Sequence, residues 1–177
     1  PFAHGAPEML AVERRLPFFV EKPLAVDLPT AEAIAAAVAQ ANLITAVGHH
    51  WRYLDTVDQL RELLREHSVR MVQGYWLDFT PPPAWWTTTA LSGGQMVEQT
   101  VHIFDLARYL VGEVRAVYGA ASHQFRPNFP QSDLDDVSAA LLHFRTGALG
   151  VISSTHIIHY PYRIGLWLFA EDLIIEC

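Results

Sequence analysis

The sequence predicts an α+β fold: a mostly antiparallel open sheet with flanking helices, preceded by one strand-helix-strand unit of the parallel type. Near the start, two short apolar runs enclose an alanine-rich helical stretch, which is the spacing of a parallel crossover. In the second half, four successive segments read as β-strands, two of them joined by a tight turn. With 177 residues, 51% of them hydrophobic, the chain can build a packed core.

The first part of the chain carries the crossover unit. An apolar run ends in the charged pair Glu21-Lys22 and is stopped by Pro23, because proline lacks the N–H that a strand ladder needs. Strong helix formers predict a helix over Ala31–Ala41, and Leu43–Val47 is a second apolar strand. The polar cluster His49–Tyr53 follows it. Polar residues therefore end both strands, at the edge where open parallel sheets bind ligands.

The middle of the chain is predicted to be helix, strand and helix. Apolar residues recur at helical spacing over Leu54–Leu64, and Val69–Phe79 alternates as a strand does. The proline run Pro81–Pro83 ends that strand. A helix is then predicted over Gln95–Val111, with Gly112 as the residue that ends it.

The last part predicts four strands of an antiparallel sheet, with Thr146-Gly147 as a hairpin turn. These strands are expected at Val114–Ser122, Asp136–Phe144, Ala148–His156 and Arg163–Phe169. We expect this sheet to be unfinished, because its strands end early, at Cys177. We place the domain boundary after residue 52, which divides the chain into 1–52 and 53–177.

Bulk properties exclude several classes of function. A net charge of −7 with scattered basic residues offers no surface for nucleic acid. No apolar run approaches the roughly 20 residues that span a bilayer, and the first residues do not have the pattern of a signal peptide. We therefore expect a cytoplasmic protein with no membrane partner. The single cysteine, Cys177, excludes an intrachain disulfide and a multi-cysteine metal site.

Polar residues form a stripe along the predicted helix Gln95–Val111. At 100° per residue, Glu98, His102 and Asp105 fall on one side of this otherwise apolar helix. The stripe either has a structural role, in which it faces solvent or forms intrahelical pairs such as Glu98 with His102, or it forms a functional site. The preceding pair Gly93-Gly94 favours a site, because it allows close backbone approach at the helix start.

Two further features allow both a structural and a functional interpretation. Lys22 is either an ordinary lysine that reaches water or a functional cation at the end of a buried strand. Trp85 and Trp86 are either core residues or a wall on which a sugar stacks. Each signal is weak when taken alone.

Their order along the chain resembles the glucose-fructose oxidoreductase and inositol dehydrogenase family (Gfo/Idh/MocA) over nearly the whole length. The matching segments are Glu21-Lys22-Pro23, Arg52-Tyr53, Trp85-Trp86, Gly93-Gly94 and the set Glu98, His102 and Asp105. The resemblance implies a Rossmann domain followed by a mostly antiparallel sheet, one face of which forms a homo-oligomer interface. The present chain then corresponds to that second domain plus the last strand-helix-strand unit of a truncated Rossmann domain.

The resemblance also implies roles for individual residues. Lys22 is then the catalytic lysine, His102 the proton acceptor, and Glu98 stands where the family usually has aspartate. The cofactor is NAD or NADP, and the substrate is a sugar, polyol or related alcohol. The residues implied in cofactor binding are Glu21, Lys22, Pro23 and Arg52, and those implied in substrate binding are Trp85, Trp86 and Asp105.

The chain has no Gly-x-Gly-x-x-Gly turn and no acidic residue placed to hold the adenosine ribose. We therefore expect it to bind a dinucleotide poorly and to be inactive alone. Two alternatives remain at this stage. One is a metal-dependent isomerase or hydrolase built on His49, His50, Glu98 and His102. The other is a non-catalytic oligomerisation or sugar-binding module of the same fold.

Overall fold

The computed structural model describes all 177 residues, and its strands form two separate sheets. The small sheet is made of β1 (Phe18–Val20) and β2 (Thr45–Val47), which pair in parallel. Helix α2 (Leu28–Ala41) connects them, and helix α1 (Ala6–Glu13) packs against α2. The predicted parallel crossover unit is confirmed.

Capping explains where these two helices begin. The side chain of Asp27 accepts a hydrogen bond from the Thr30 N–H at the start of α2, as an N-cap residue does. Helix α1 was not predicted from the sequence. The side chain of Glu8 in α1 accepts a hydrogen bond from the Gly5 N–H, which fixes the first turn of this helix. At eight residues, the helix is too short to show a clear apolar period.

The larger region begins with a 3-10 turn at His50–Tyr53 and contains six strands with helices between them. A second 3-10 turn lies at Ala84–Thr87. The remaining elements are α3 (Asp55–Leu63), β3 (Met71–Phe79), α4 (Thr89–Ser92), α5 (Gln95–Glu98), α6 (Val101–Val111), β4 (Val114–Ser122), β5 (Val137–Phe144), β6 (Leu149–Ile158), β7 (Arg163–Phe169) and β8 (Ile174–Glu176).

The six-stranded sheet has the order β4-β5-β6-β3-β7-β8. All neighbouring strands are antiparallel except β3 and β6, which run parallel. Strand β3 lies between β6 and β7. The predicted mostly antiparallel α+β fold is confirmed. Strand β8 was not predicted; at three residues it is too short to show an alternating pattern. The boundary after residue 52 stays a prediction.

The two faces of the large sheet differ. One face packs against α6, where Ile103 and Leu106 meet buried residues such as Val72 and Leu166. The other face, here called the open face, exposes large apolar side chains along directly paired strands. They are Met71, Tyr118, Val137, Leu141, Leu149, Val151 and Ile174. No helix has the length and apolar character that crossing a membrane requires.

The helix predicted over Gln95–Val111 is interrupted, which corrects the sequence interpretation. The Thr100 N–H donates to the carbonyl of Gln95, and the His102 N–H donates to that of Gln99. Both bonds depart from the regular spacing of four residues. The His102 N–H, which is the regular helical donor for the carbonyl of Glu98, is therefore bound elsewhere, and this carbonyl can accept from a side chain.

Candidate active site

Lys22, two residues after the end of β1, reaches the interruption between α5 and α6. Its Nζ donates to the backbone carbonyl of Glu98 at 2.6 Å and to the carboxylate Oε1 of the same residue at 2.7 Å. Lys22 is the only lysine in the chain. The ammonium group has three N–H donors, so this geometry leaves one for a further acceptor.

The Glu98 carboxylate is held on both oxygens. While Oε1 accepts from Lys22, Oε2 accepts from the indole N–H of Trp86 at 2.8 Å. Both members of the ion pair are largely buried, with 18% of the Lys22 side chain and 15% of the Glu98 side chain exposed. Glu98 is therefore a fixed anchor for the ammonium group.

His102 lies in an aromatic enclosure made by two tryptophans from different parts of the chain. Its ring stacks on Trp51 with centroids 5.1 Å apart and on Trp76 at 6.0 Å. The two indoles stack on each other at 5.9 Å, and the His50 ring meets His102 edge-on at 5.0 Å. His102 is only 5% exposed, and its Nδ1 is buried without a hydrogen-bond partner. Stacking, rather than a carboxylate, orients this imidazole.

The enclosure changes the acid-base behaviour of His102. Burial, and secondarily the positive charge of Lys22, lower the pKa of His102 from 6.5 to about 4. The imidazole is therefore neutral at neutral pH. A neutral imidazole can accept a proton, which an imidazolium cannot.

Asp105 is bound by Arg52, not by His102. The Arg52 Nε donates to Asp105 Oδ2 at 2.7 Å, and Nη2 donates to Oδ1 of the same carboxylate. This bonding raises the pKa of Arg52. The guanidinium also lies 4.8 Å from the centroid of the Tyr109 ring. Because Asp105 is 6% exposed, Arg52 supplies the cation that a buried carboxylate requires.

His49 stands beside the same carboxylate. Its Nε2 is 3.9 Å from Asp105 Oδ1, and burial lowers its pKa although the charge of Asp105 opposes that shift. The polar side of α6 thus packs inside the molecule. The solvent-facing interpretation of the stripe is wrong, because both His102 and Asp105 are buried.

Some of the predicted residues contact one another directly, and others have different neighbours. Lys22 bonds to Glu98, and its charge contributes to the lowered pKa of His102, four residues beyond Glu98. Glu21 and Pro23 flank the lysine in the chain. Trp86 is 1% exposed and reaches this region through its bond to Glu98, whereas the Trp85 ring lies 6.1 Å from that of Phe2.

Trp51 and Trp76 were not singled out from the sequence. Trp51 stood inside the polar cluster His49–Tyr53, whose position after a strand was the only available signal. Trp76 lies in the middle of β3, and nothing in its sequence surroundings distinguishes it from an ordinary strand residue.

The metal-dependent alternative receives no support from the geometry. No group of three or more histidine, cysteine, aspartate or glutamate side chains is arranged to hold a metal ion, and this includes His49, His50, Glu98 and His102. The Glu98 oxygens are already occupied by Lys22 and Trp86.

Comparisons of sequence and of structure with known proteins both find dehydrogenases. A myo-inositol 2-dehydrogenase of Thermotoga maritima is 29% identical over 160 residues, covering 86% of this chain and 46% of that protein. The scyllo-inositol 2-dehydrogenase (NAD(+)) of Bacillus subtilis is 27% identical over 165 residues, covering 91% and 48%. A levoglucosan dehydrogenase solved in complex with NADH superposes with a TM-score of 0.88 at 25% identity, covering 98% of this chain and 50% of that one.

The chain therefore spans about half the length of the curated relatives it matches. The model of the GFO/IDH/MocA C-terminal domain matches residues 57–176, which is more than half of the chain. Together with the sheet and the arrangement around Lys22, this match shows that the chain belongs to the Gfo/Idh/MocA family.

Proposed function

We propose that this chain is the catalytic and substrate-binding part of an NAD(P)-dependent oxidoreductase that acts on a hydroxyl of a sugar, polyol or related substrate. The observation that carries the proposal is that the Lys22 ammonium is bonded to Glu98, four residues before the buried imidazole of His102, whose pKa the charge of Lys22 helps to lower. Lys22 is the only lysine of the chain, so no other lysine can take this role.

The chemistry of alcohol oxidation matches these groups. The reaction needs an acceptor for the hydroxyl proton and a cation beside the oxygen as negative charge develops on it. In our proposal His102 accepts the proton, and the free N–H of Lys22 stabilises the oxygen. The bound nicotinamide supplies the hydride acceptor.

The residues fit the nicotinamide end of such a cofactor. Glu21, Lys22 and Pro23 follow β1, and the segment with Arg52 follows β2, so they border the carboxyl edge of the parallel pair where ligands bind. We propose these four residues as the cofactor side of the site. Arg52 acts there through its pairing with Asp105.

We also propose that the intact enzyme includes a dinucleotide-binding segment outside these 177 residues, and that the chain alone is inactive. Two observations support this. No Gly-x-Gly-x-x-Gly turn is present, and the small sheet exposes Phe19 and Ile44 to 66% and 83%. Additional strands and helices would cover such side chains in a doubly wound sheet.

The substrate class follows from relatives that act, by their names, on inositols and on levoglucosan. We propose a cyclic polyol or sugar, bound beside Lys22 and His102. In our proposal Trp85 and Asp105 line the substrate-binding site. Trp86 takes part indirectly, through its hydrogen bond to Glu98.

The test uses a longer protein in which a dinucleotide-binding segment precedes Pro1. We expect it to reduce NAD or NADP with myo-inositol, scyllo-inositol or levoglucosan as the alcohol. Lys22→Met and His102→Ala should each lower kcat/KM by about 10²-fold or more, because each removes a group that acts on the reacting hydroxyl. His102→Ala should still bind the nucleotide in calorimetry.

Two outcomes would overturn the proposal. Failure of the longer protein to bind either nucleotide would exclude the oxidoreductase. Full activity of both variants would support a non-catalytic sugar-binding or oligomerisation role for this part of the protein.

We further propose that the open face forms a homo-oligomer interface. Its exposed apolar side chains lie on directly paired strands, for example Tyr118 opposite Leu141 and Leu141 opposite Val151. Contiguous apolar surface of this kind marks interaction sites in soluble proteins.

A further inference from the structure

We propose that Trp86 is a positioning residue for Lys22, acting through the Glu98 carboxylate. The inference deepens the proposed function and rests on it for the catalytic role of Lys22. It assigns to Trp86 a role different from direct contact with substrate.

The first argument is the geometry of Glu98. The glutamate side chain has three rotatable bonds, so its carboxylate can take several positions around the ammonium. The indole N–H of Trp86, 2.8 Å from Oε2, removes that freedom by holding the second oxygen while Lys22 holds the first. A hydrogen bond to a charged acceptor is stronger than one between neutral groups.

The second argument is that Trp86 is itself held by a rigid neighbour. Its ring meets the edge of His156 with centroids 4.9 Å apart, and the His156 side chain is fully buried. The His156 Nε2 is 3.1 Å from the carbonyl of Asp135, and Nδ1 is 3.0 Å from the Thr80 hydroxyl.

These contacts fix the tautomer of His156. A carbonyl only accepts, so Nε2 carries the proton and Nδ1 is the acceptor of this neutral ring. Since Thr80 follows β3 and His156 lies on β6, two adjacent strands hold the ring that supports Trp86. The indole therefore holds Glu98 from a rigid part of the sheet.

The third argument concerns what remains free on Lys22. Two of its three N–H donors are bound by Glu98, one by the carbonyl and one by the carboxylate. A fixed carboxylate fixes the direction of the third donor. If the carboxylate swings away, the ammonium loses one of two anchors, and the third donor no longer has a defined direction.

The test uses the single lysine of the chain. Labelling with ¹⁵N-lysine gives one Nζ signal, which reports the ammonium of Lys22 alone. Trp86→Phe keeps an aromatic ring and removes the N–H donor. We expect the Lys22 Nζ signal to shift and its ammonium protons to exchange with water about tenfold faster or more, as loss of a hydrogen bond in a charged pair implies.

Trp167→Phe is the matched control. It makes the same substitution and removes one indole hydrogen bond, that from Nε1 to the Tyr75 hydroxyl at 3.0 Å, in a different part of the sheet. We expect no change in the Lys22 signal. An equal change in both variants, or no change in Trp86→Phe, would overturn the inference.

Glu98→Gln alters the acceptor of the Trp86 hydrogen bond instead of its donor. It provides a second test if Trp86→Phe does not fold. Both the Trp86 indole N–H signal and the Lys22 Nζ signal should move, because one carboxylate joins them. Movement of the lysine signal without the indole signal would contradict a role for Trp86.

Activity of the longer protein separates this inference from the proposed function. If that protein is an active dehydrogenase, Trp86→Phe should lower kcat by about tenfold to a hundredfold, as misplacement of a catalytic group does. If it has no dehydrogenase activity, the proposed function fails, while the ¹⁵N measurement still decides whether Trp86 holds Glu98. An active enzyme whose kcat is unchanged by Trp86→Phe contradicts the positioning role.

Discussion

Different kinds of contact position the side chains of Lys22 and His102. Lys22 is held by charged and polar partners on Glu98, whereas His102 is enclosed by the indoles of Trp51 and Trp76. Hydrogen bonds fix the direction of the ammonium, and removal from water keeps the imidazole neutral. The imidazole is thus neutral at neutral pH, which is the state that the proton acceptance we propose for it requires.

The lowered pKa of His102 predicts a pH-dependent stability. In the unfolded chain this imidazole takes up a proton near pH 6.5, whereas in the folded chain it does so only near pH 4. As the pH falls from 6.5 to about 4, the unfolded state therefore binds more protons, and the free energy of unfolding decreases by up to about 3 kcal/mol from this residue. Below about pH 4 this contribution levels off.

Urea denaturation of the wild type and His102→Asn at pH 7 and pH 4.5 measures this effect. The difference between the two proteins at pH 7 reports packing alone. The drop in stability between the two pH values should be smaller in the variant, and an equal drop in both proteins would contradict the assignment.

The ion pair of Arg52 with Asp105 gives a second prediction about single residues. Arg52→Met leaves a buried carboxylate without its cation and should lower the free energy of unfolding by about 2–4 kcal/mol. Arg163→Met, which removes an exposed pair with Glu176, should change the free energy of unfolding far less, because solvent screens that pair. Equal costs in urea denaturation would show that burial does not distinguish the two pairs.

The sequence indicated part of this site. Glu98 and His102 are four positions apart, so helical periodicity puts them on one side of the predicted helix, although the helix is interrupted between them. The enclosure of His102 does not, because Trp51 and Trp76 come from separate segments and meet only when the sheet forms. Nothing in the local sequence indicates that Asp105 pairs with Arg52 rather than His102.

Among the elements, the interruption between α5 and α6 has the clearest consequence. It frees the Glu98 carbonyl for Lys22 and joins the small sheet to the helical face of the large one. Helical periodicity predicted one continuous helix, because it depends only on which positions are apolar. The interruption is a change in backbone hydrogen bonding, from a spacing of four residues to spacings of five and three, and the apolar pattern carries no information about it.

The packing of α6 on the large sheet depends on Gly74 in β3. A Cβ added there would lie 2.5 Å from Cγ2 of Ile103 and 3.1 Å from Cγ1 of Ile152. Gly74→Ala should therefore force the helix from the sheet and lower the free energy of unfolding by about 1–3 kcal/mol.

Gly119→Ala is the matched control for Gly74→Ala. Gly119 lies in the edge strand β4, where an added Cβ would meet only the Ala139 carbonyl at 3.9 Å, an ordinary contact distance. Urea denaturation should show little change for this variant. Similar losses for both variants would mean that close approach of α6 is not what Gly74 provides.

At the scale of the whole molecule, the two sheets differ in how far other elements pack on them. The large sheet is packed on one side by helices, and the small sheet is exposed around Phe19 and Ile44. The fold class and most strand positions were predictable because alternation and helical period are local properties. The parallel pairing of β3 with β6 was not, since strands far apart in sequence carry no signal for their order.

The open face gives a prediction about assembly. Val151 lies between Leu141 and Gln73 in the middle of this face. If copies of the protein associate there, sedimentation should show a dimer or larger assembly, and Val151→Lys should convert it to monomer by burying a charge. A wild-type protein that sediments only as a monomer would contradict this interface.

The most direct test of the central claim, that Lys22 and His102 act within one site, is an NMR titration of His102 in the wild type and in Lys22→Met. The ammonium charge disfavours the imidazolium, so its removal should raise the pKa of His102 above its wild-type value of about 4. The burial of His102 by Trp51 and Trp76 should keep that pKa below 6.5 in both proteins. Identical titration curves for the two proteins would show that the ammonium and the imidazole do not share a site.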